Sequence, residues 1–470
     1  MKQISLILIL LCFSFGFSQD TPISFSLQEA IDYALENNRQ AKNAGRDIDA
    51  AEQQKRETTA IGLPQINANI DYQNFLKQQV SLLPASAFDP IGGIRQLEDY
   101  YDLDALQTQD LPSAPEGFIP VTFGTKQTIN ANVTLSQLIF DGSYLVGLQS
   151  AKVFLDISKN AKTKTDLEVR KVVINAYGNV LLAQESVSIL ESNITVLEKN
   201  LYETQKIYEN GLAEEENVEQ LQITLSGVKS NLNNTNRLKT LAVQMLNITL
   251  GVDIYNTTQL TDDLETLTAE QISIELLSAD ESIENTIDYV IAENDKTSKE
   301  LLVKLEKSKA LPSLNGFLTG GYNGNSDSFT FAQSNQQWFG SALVGVNLTI
   351  PIFSSGKRSA ATQRAKINLE KAETDLIETE QIIRLQMATA KSDYQFAVED
   401  YDNKKNNLSL AERIEKKNQT KFFEGISSSF ELRQAQTQLY SAQQELLQAM
   451  LDVVNSKAEL ETVLNSPINN

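Results

Sequence analysis

The segment TINANVTLSQLIFDG, residues 128 to 142, decides how the chain is read. Ile129, Ala131, Val133 and Leu135 fall on one side of a strand, and Asn130, Asn132, Thr134 and Ser136 on the other. This is the period-two alternation of a sheet with one apolar and one polar face. Its surroundings follow a different period. Prolines stand at 22, 64, 84, 90, 112, 115, 120, 312, 351 and 467, so residues 121–311 and 352–466 contain none and permit long helices. Val172, Ala176, Val180, Ala183, Val187, Leu190, Ile194, Leu197, Leu201, Thr204 and Tyr208 recur at steps of three and four, the seam of a coiled coil. After Asn210-Gly211 the rhythm resumes with Val218, Leu221, Leu225, Val228 and Leu232, so the two runs read as a long antiparallel hairpin. A helix from Ser143 to Asn210 would be roughly 100 Å long at about 1.5 Å per residue, too long for a compact core. The second stretch repeats the design: Leu369, Leu376, Ile383, Ala390 and Ala397, then, past Glu424-Gly425, Leu432, Ala435, Leu439, Ala442, Leu446, Ala449 and Val453.

The strands repeat as well. LPQINANIDYQ (63–73) matches LPSLNGFLTGGYN (311–323), and VTLSQLIFDG (133–142) matches VNLTIPIFSSG (346–356). The chain therefore reads as two copies of helix, strand, strand, helix, helix. About 50 residues from Phe75 to Thr125 separate the strands of the first copy, and about 18, around GNSDSFTFAQSNQQWFG, those of the second. Residues 252–300 are acidic, lack the seam and read as a connector.

Composition narrows the function. The N-terminus, MKQISLILILLCFSFGFSQ, has Lys2, an apolar run from Ile4 to Phe17 and small residues at Gly16 and Ser18, the pattern of a secretory signal cleaved before Gln19. Cys12 follows Ile9, Leu10 and Leu11, where a lipoprotein signal has small residues, and it leaves with the signal, so the mature chain has no cysteine for a disulfide. No later run of about 18 apolar residues offers a helical membrane span, although a β-barrel span stays open. A net charge of −21 disfavours nucleic acid and anionic membrane surfaces. The absence of histidine removes Ser-His and Cys-His catalysis and imidazole metal sites. With no paired-carboxylate, glycine-rich phosphate or metal-ligand constellation either, neither enzyme nor cofactor is expected.

Four strands of about nine to eleven residues, apolar on one face and Asn, Thr, Ser and Gln on the other, suit a barrel wall between lipid and water. An ordinary half-buried sheet shows the same alternation, but the signal peptide, the lack of cysteine and the long helices favour a barrel continued by a helical tube. Four strands cannot close a barrel, which needs about eight, so an oligomer is implied.

Read together, FSLQEAIDYALENN (25–38), LPQINANIDY with LPSLNGFL, LSQLIFDGSY with LTIPIFSSGK, and the turns YENGLA and FFEGIS give a chain that resembles the TolC-like outer-membrane efflux family over about residues 24–466. PEGFIPVTFGT further resembles its Bacteroidetes-type branch. The resemblance implies a mainly α fold with a β-barrel: a homotrimer whose 12-strand outer-membrane barrel continues into a long periplasmic α-helical barrel. Its divisions would be signal peptide (1–18), first periplasmic helices (19–62), first hairpin of the barrel with a long extracellular loop (63–142, loop 75–125), coiled-coil hairpin (143–251), equatorial connector (252–300), end of a returning helix (301–310), second hairpin of the barrel (311–354) and second coiled-coil hairpin (355–466). The second copy departs from the pattern: only ENTIDYVIAEN (284–294) is similar to the opening helix, about eight residues nearer its Leu-Pro.

The same resemblance implies a passive exit duct for small molecules such as drugs, located in the cell outer membrane, extending into the periplasm, and working with a periplasmic adaptor (membrane fusion) protein and an inner-membrane transporter. The channel of a type I protein secretion system is the alternative. A non-channel exported coiled-coil protein would explain the seams but not the duplicated strands. The family's hairpin tips meet the adaptor, which points to Gly211, Leu212, Ala213, Gly425, Ile426 and Ser427, although glycine at such turns is also what a helix C-cap requires. Family carboxylates six and nine positions past the second turn glycine line the periplasmic entrance, and Glu431 and Gln434 stand there. Glu214, Glu215 and Glu216 crowd the first turn and join them as gate candidates, though acidic residues at helix N-termini are also favoured by the helix dipole. Tyr72, Phe140, Tyr322 and Phe353 are candidates for interfacial aromatic girdles against outer-membrane lipid.

Overall fold

A computed structural model describes residues 23–101, 116–277 and 282–465. The expected signal peptide and residues 102–115 of the first inter-strand segment lie outside the described residues. In chain order the elements are β1 (Ile23–Phe25), α1 (Leu27–Asn37), α2 (Arg39–Ala60), β2 (Gln65–Asn74), β3 (Val80–Pro84), α3 (Gly92–Tyr101), β4 (Phe118–Thr122), β5 (Gln127–Asp141), α4 (Gly142–Glu209), α5 (Glu215–Leu250), β6 (Thr258–Leu260), α6 (Leu264–Gln271), α7 (Ile287–Ser308), β7 (Ser313–Ser326), β8 (Trp338–Thr349), α8 (Lys357–Phe423) and α9 (Ser429–Val463), with short one-turn helices between. The fold is mainly helical. It divides into two compact units, one from 57–147 and 305–358, the other from the rest of the chain.

The first unit holds a four-stranded antiparallel sheet in the order β2-β5-β7-β8. Its register sorts side chains by chemistry. Ile66, Ala68, Ile70 and Tyr72 pair with Leu135, Val133, Ala131 and Ile129, while Asn67, Asn69, Asp71 and Gln73 pair with Thr134, Asn132, Asn130 and Thr128. The apolar face is continued by Leu318 and Tyr322 of β7 and by Val344, Val346 and Leu348 of β8, all exposed. On the polar face Thr134 and Thr319 share a hydrogen bond (2.9 Å), and Asn130, Asn323 and Asn325 are linked through their side-chain amides. At Gly321 of β7 a Cβ would stand 2.4 Å from the Ala131 carbonyl oxygen of β5, so only glycine fits. The register slips by one residue between Leu138 and Phe140, leaving Ile139 as a bulge. Among the described residues β2 and β8 each pair on one side only.

Between Phe75 and Thr125 the structure adds a second ladder, β3 with β4, with Leu82 opposite Pro120 and Pro84 opposite Phe118. Prolines in such a ribbon occupy positions that need not donate to the ladder, and they hide it from a reading of periodicity.

The second unit is built by the helices. The seam positions Ala176, Val180, Ala183, Val187, Ile194 and Leu197 of α4, Val218, Leu221, Leu225 and Val228 of α5, Ile383, Ala390 and Ala397 of α8, and Leu432, Ala435, Ala442, Leu446, Ala449 and Val453 of α9 are buried. Val172 and Tyr208, at the two ends of the first seam, are exposed. Two tyrosines with no exposed surface anchor the loops: Tyr177 donates to the Phe25 carbonyl or Asp262 (both 3.0 Å), and Tyr394 donates to the Gln271 carbonyl while accepting from the Ser273 N–H (both 2.8 Å). Glu461, buried, receives Arg170 at 3.1 Å and Lys457 at 3.7 Å.

The connector is tied to the helices by Asn247. Its Nδ2 donates to the carbonyls of Ile254 (3.1 Å) and Asn256 (2.8 Å), and its Oδ1 accepts from the Thr258 hydroxyl (2.6 Å). Asn247→Ala strips partners from three groups at once and is expected to cost roughly 3 kcal/mol, measured as faster amide hydrogen exchange over residues 252–260.

Candidate functional site

The two helix hairpins end alike. At the end of α4 the Gly211 N–H donates to the Tyr208 carbonyl (2.8 Å) and the Leu212 N–H to that of Ile207 (3.0 Å), with Gly211 at φ 72°. At the end of α8 the Gly425 N–H donates to Phe422 (3.0 Å) and the Ile426 N–H to Lys421 (2.8 Å), with Gly425 at φ 74°. Both are Schellman caps, in which a left-handed residue turns the chain and its neighbours satisfy the last carbonyls. The glycines are therefore explained by capping. The residues after them are not: in this motif they usually fold back onto the last turn, whereas Leu212 and Ile426 are 81% and 71% exposed. Ala213 and Ser427 beside them are half-buried.

Beyond the tips the hairpins differ. Ser428 caps α9 in a capping box: the Glu431 N–H donates to the Ser428 hydroxyl (3.3 Å), and Glu431 Oε2 accepts from the Ser428 N–H (3.0 Å) and the Ser427 hydroxyl (2.6 Å). The Ser427 hydroxyl, then the Ser428 backbone, hold the Glu431 carboxyl below the usual glutamate range. Glu431 is thus an exposed fixed negative charge committed to the cap of its own helix, with Gln434 exposed three residues on. At the first tip Glu214 occupies the N-cap without a side-chain cap bond, and Glu215 and Glu216 fill the first turn of α5, all exposed. The six tip residues lie on two turns of one construction; Glu214 caps the helix that follows the first, Glu215, Glu216 and Glu431 lie in first turns, and Gln434 lies in the second turn of α9.

The aromatic candidates fall at two levels of the sheet. Tyr72 packs edge-on against Phe329 (5.9 Å) and Phe331 (6.0 Å), and Phe331 lies 6.3 Å from Trp338. Tyr322, 62% exposed, pairs with Gly340 in the same region. Phe140 pairs with Leu314, eight residues before Tyr322 along β7, roughly 27 Å at about 3.4 Å per residue. Phe353, past the end of β8, is also exposed. Phe329 and Phe331 were not singled out by the sequence reading; the alternation in SFTF was their signal. Arg358 is another such residue, donating to the carbonyls of Pro351 (2.8 Å) and Ile352 (3.3 Å) and fixing the turn into α8.

Among the described residues no group of three or more His, Cys, Asp or Glu could hold a metal ion, and no helix is long and apolar enough to cross a membrane.

Known proteins resemble the chain in sequence over its second half and in fold over nearly all of it. Residues 291–466 match the model of the outer membrane efflux proteins. That match covers less than half of the chain. The outer membrane protein TolC of Vibrio cholerae is 26% identical over 263 residues, 53% of this chain and 56% of that protein, so the match spans little more than half of the relative. Solved structures extend the likeness over nearly the whole chain: CusC (TM-score 0.69, 17% identity, 96% of both chains), VceC of Vibrio cholerae (0.68, 14%, 94% of this chain and 96% of that one) and the CmeC outer membrane channel of Campylobacter jejuni (0.68, 17%, 96% and 90%). At such identities the likeness is one of fold. The TolC relative is an outer membrane protein and CmeC is an outer membrane channel.

A carboxylate with a lowered pKa contributes fully above the ordinary glutamate range and loses its contribution as pH falls through the lowered value. Amide exchange over residues 429–434, compared between wild type and Glu431→Ala at matched pH, is expected to differ near neutrality and to converge only below the usual glutamate value of about 4.3.

Proposed function

We propose that the protein is the trimeric outer-membrane channel of a tripartite efflux system, a passive duct for small molecules delivered by an inner-membrane pump through a periplasmic adaptor. The observation that carries this reading is the sheet: four antiparallel strands, an exposed apolar face, a second face mostly of amides and hydroxyls with Asp71, Phe317, Phe339 and Leu343 among them, and, among the described residues, two unpaired edges. In lipid an unpaired edge is too costly to persist. Pairing β8 of one copy with β2 of the next removes every edge when the ring closes, and three copies give twelve strands. The apolar face would then meet acyl chains and the polar face the water-filled lumen, with the two aromatic levels at the membrane boundaries.

The element order supports an internal duplication, with α2, β2, β5, α4 and α5 answered by α7, β7, β8, α8 and α9. In the trimer these helices would form the periplasmic barrel. Leu212 and Ile426, aliphatic and exposed on capped turns, are suited to a partner's apolar surface and are assigned to the adaptor together with Gly211, Ala213, Gly425 and Ser427. Glu431, Gln434 and Glu214 to Glu216 are assigned to the periplasmic entrance, which opens when the hairpins around 208–216 and 422–434 part. The channel itself does no chemistry.

Leu212→Asp and Ile426→Asp, singly and together, are expected to reduce drug resistance to that of a strain lacking the channel, while trimer and outer-membrane location persist on gels and in fractionated envelopes. Unchanged resistance would remove the tips from the adaptor interface. Single-channel recording of the detergent-extracted wild type tests the duct itself.

A further inference from the structure

Aligned on their cap glycines, the two hairpin tips are alike in backbone and unlike in charge. Residues 199–219 around Gly211 hold two cations against six carboxylates, a net −4, whereas the matching residues 413–433 around Gly425 hold five cations against three carboxylates, a net +2. In a chain of net charge −21 this is a local reversal of sign.

The difference falls on matched positions. Lys417 stands where the first hairpin has Glu203, and Arg433 where it has Glu219. Arg413, Lys417 and Lys421 recur every four residues and so share one face at the end of α8, with Lys416 beside them. All four are exposed. Among the described residues Arg413, Lys416 and Lys417 form no ion pair, and Lys421 is near enough to Glu431 to act on it by charge without pairing. On α9 the Arg433 guanidinium lies 5.2 Å from the centre of the exposed Phe430 ring, at the place where the first hairpin has Glu216. The second tip thus sets cations without ion-pair partners around two exposed apolar side chains, Ile426 and Phe430. Charges at the rim of an apolar contact steer a partner of opposite sign and reject one of the same sign.

We propose that the second hairpin tip, and not the first, is the seat for an acidic protein surface: carboxylates of the partner meet Arg413, Lys416, Lys417, Lys421 and Arg433 around an apolar contact at Ile426 and Phe430. The inference rests on the adaptor reading given above and names the chemistry of the adaptor's end. An anionic bilayer fits less well, because the first tip ends in the same turn and would bring Glu214, Glu215 and Glu216, all exposed, against it. In a closed ring of three copies the tips alternate in sign while their turns stay the same. Charge then decides which tip each partner takes, and a ring of partners seats on every second tip rather than on any.

The test exchanges charge between matched positions in the full-length protein, expressed in the parent bacterium in place of the native copy. Lys417→Glu with Arg433→Glu is expected to reduce drug resistance to that of a strain lacking the channel. Glu203→Lys with Glu219→Arg is expected to leave resistance unchanged. The four substitutions together are expected to restore it, because the partner then seats one tip further round, and that recovery also shows that the loss was not misfolding. Resistance kept in Lys417→Glu with Arg433→Glu, or lost there and not recovered with all four substitutions, would overturn the inference. Photo-crosslinking from position 426 in whole cells separates the two kinds of acidic surface: a protein adduct that disappears in Lys417→Glu with Arg433→Glu supports the proposal, and an adduct with phospholipid alone overturns it. If Leu212→Asp and Ile426→Asp leave resistance unchanged, the adaptor reading itself falls. If they abolish it while the charge pair does not, only the charge assignment falls.

Discussion

The rest of the structure depends on the two unpaired edges of one sheet. Among the described residues strands β2 and β8 each pair along one edge only, and the face between them carries exposed Ile66, Ile70, Val344 and Val346. In water this surface would aggregate, and in lipid the edges would be intolerable. One arrangement relieves both problems: identical sheets joined edge to edge into a closed wall. The close approach at Gly321 and the bulge at Ile139 bend the sheet locally, since bulges bend a sheet and glycine admits backbones at short range.

The helical unit solves a different problem. Long proline-free helices have few places to stop, and both hairpins stop by the same device, a left-handed glycine with two reversed hydrogen bonds. The cap also uses the backbone N–H of the next residue, yet its side chain stays out of the last turn, and the chain places an exposed aliphatic there twice. The two turns therefore present the same type of residue, an exposed aliphatic, in the same setting.

Much of this was legible in the sequence because it rests on period. The alternation from Ile129 to Leu135 and the three-four steps from Ala176 to Leu197 each arise from side chains sharing a face, and the faces recur in the structure. What escaped has no period. The β3–β4 ladder is short and interrupted by Pro84 and Pro120. Glu431 stood out by its distance from a glycine, but its bonds to Ser427 and Ser428 depend on local geometry that spacing does not encode. Phe329 and Phe331 lay in a segment read as loop, and Gln436, buried in the structure, falls between the seam positions Ala435 and Leu439 and was not expected to be buried. The family-specific assignments of tips and gate came from resemblance, and the capping geometry now gives those residues a physical setting.

The polar face of the sheet has a further consequence. Asn130, Asn323 and Asn325, with Thr134 and Thr319, carry groups that can each donate or accept, and an amide or hydroxyl can exchange those roles by a single rotation. A lumen walled by such groups would present no fixed pattern of donors and acceptors and little charge. A solute passing along it would find a surface that re-forms its hydrogen bonds around whatever shape arrives and grips none of them tightly. Selection would therefore have to be made before cargo reaches the wall, and the outer part of the path would behave as a lubricated sleeve indifferent to chemical identity.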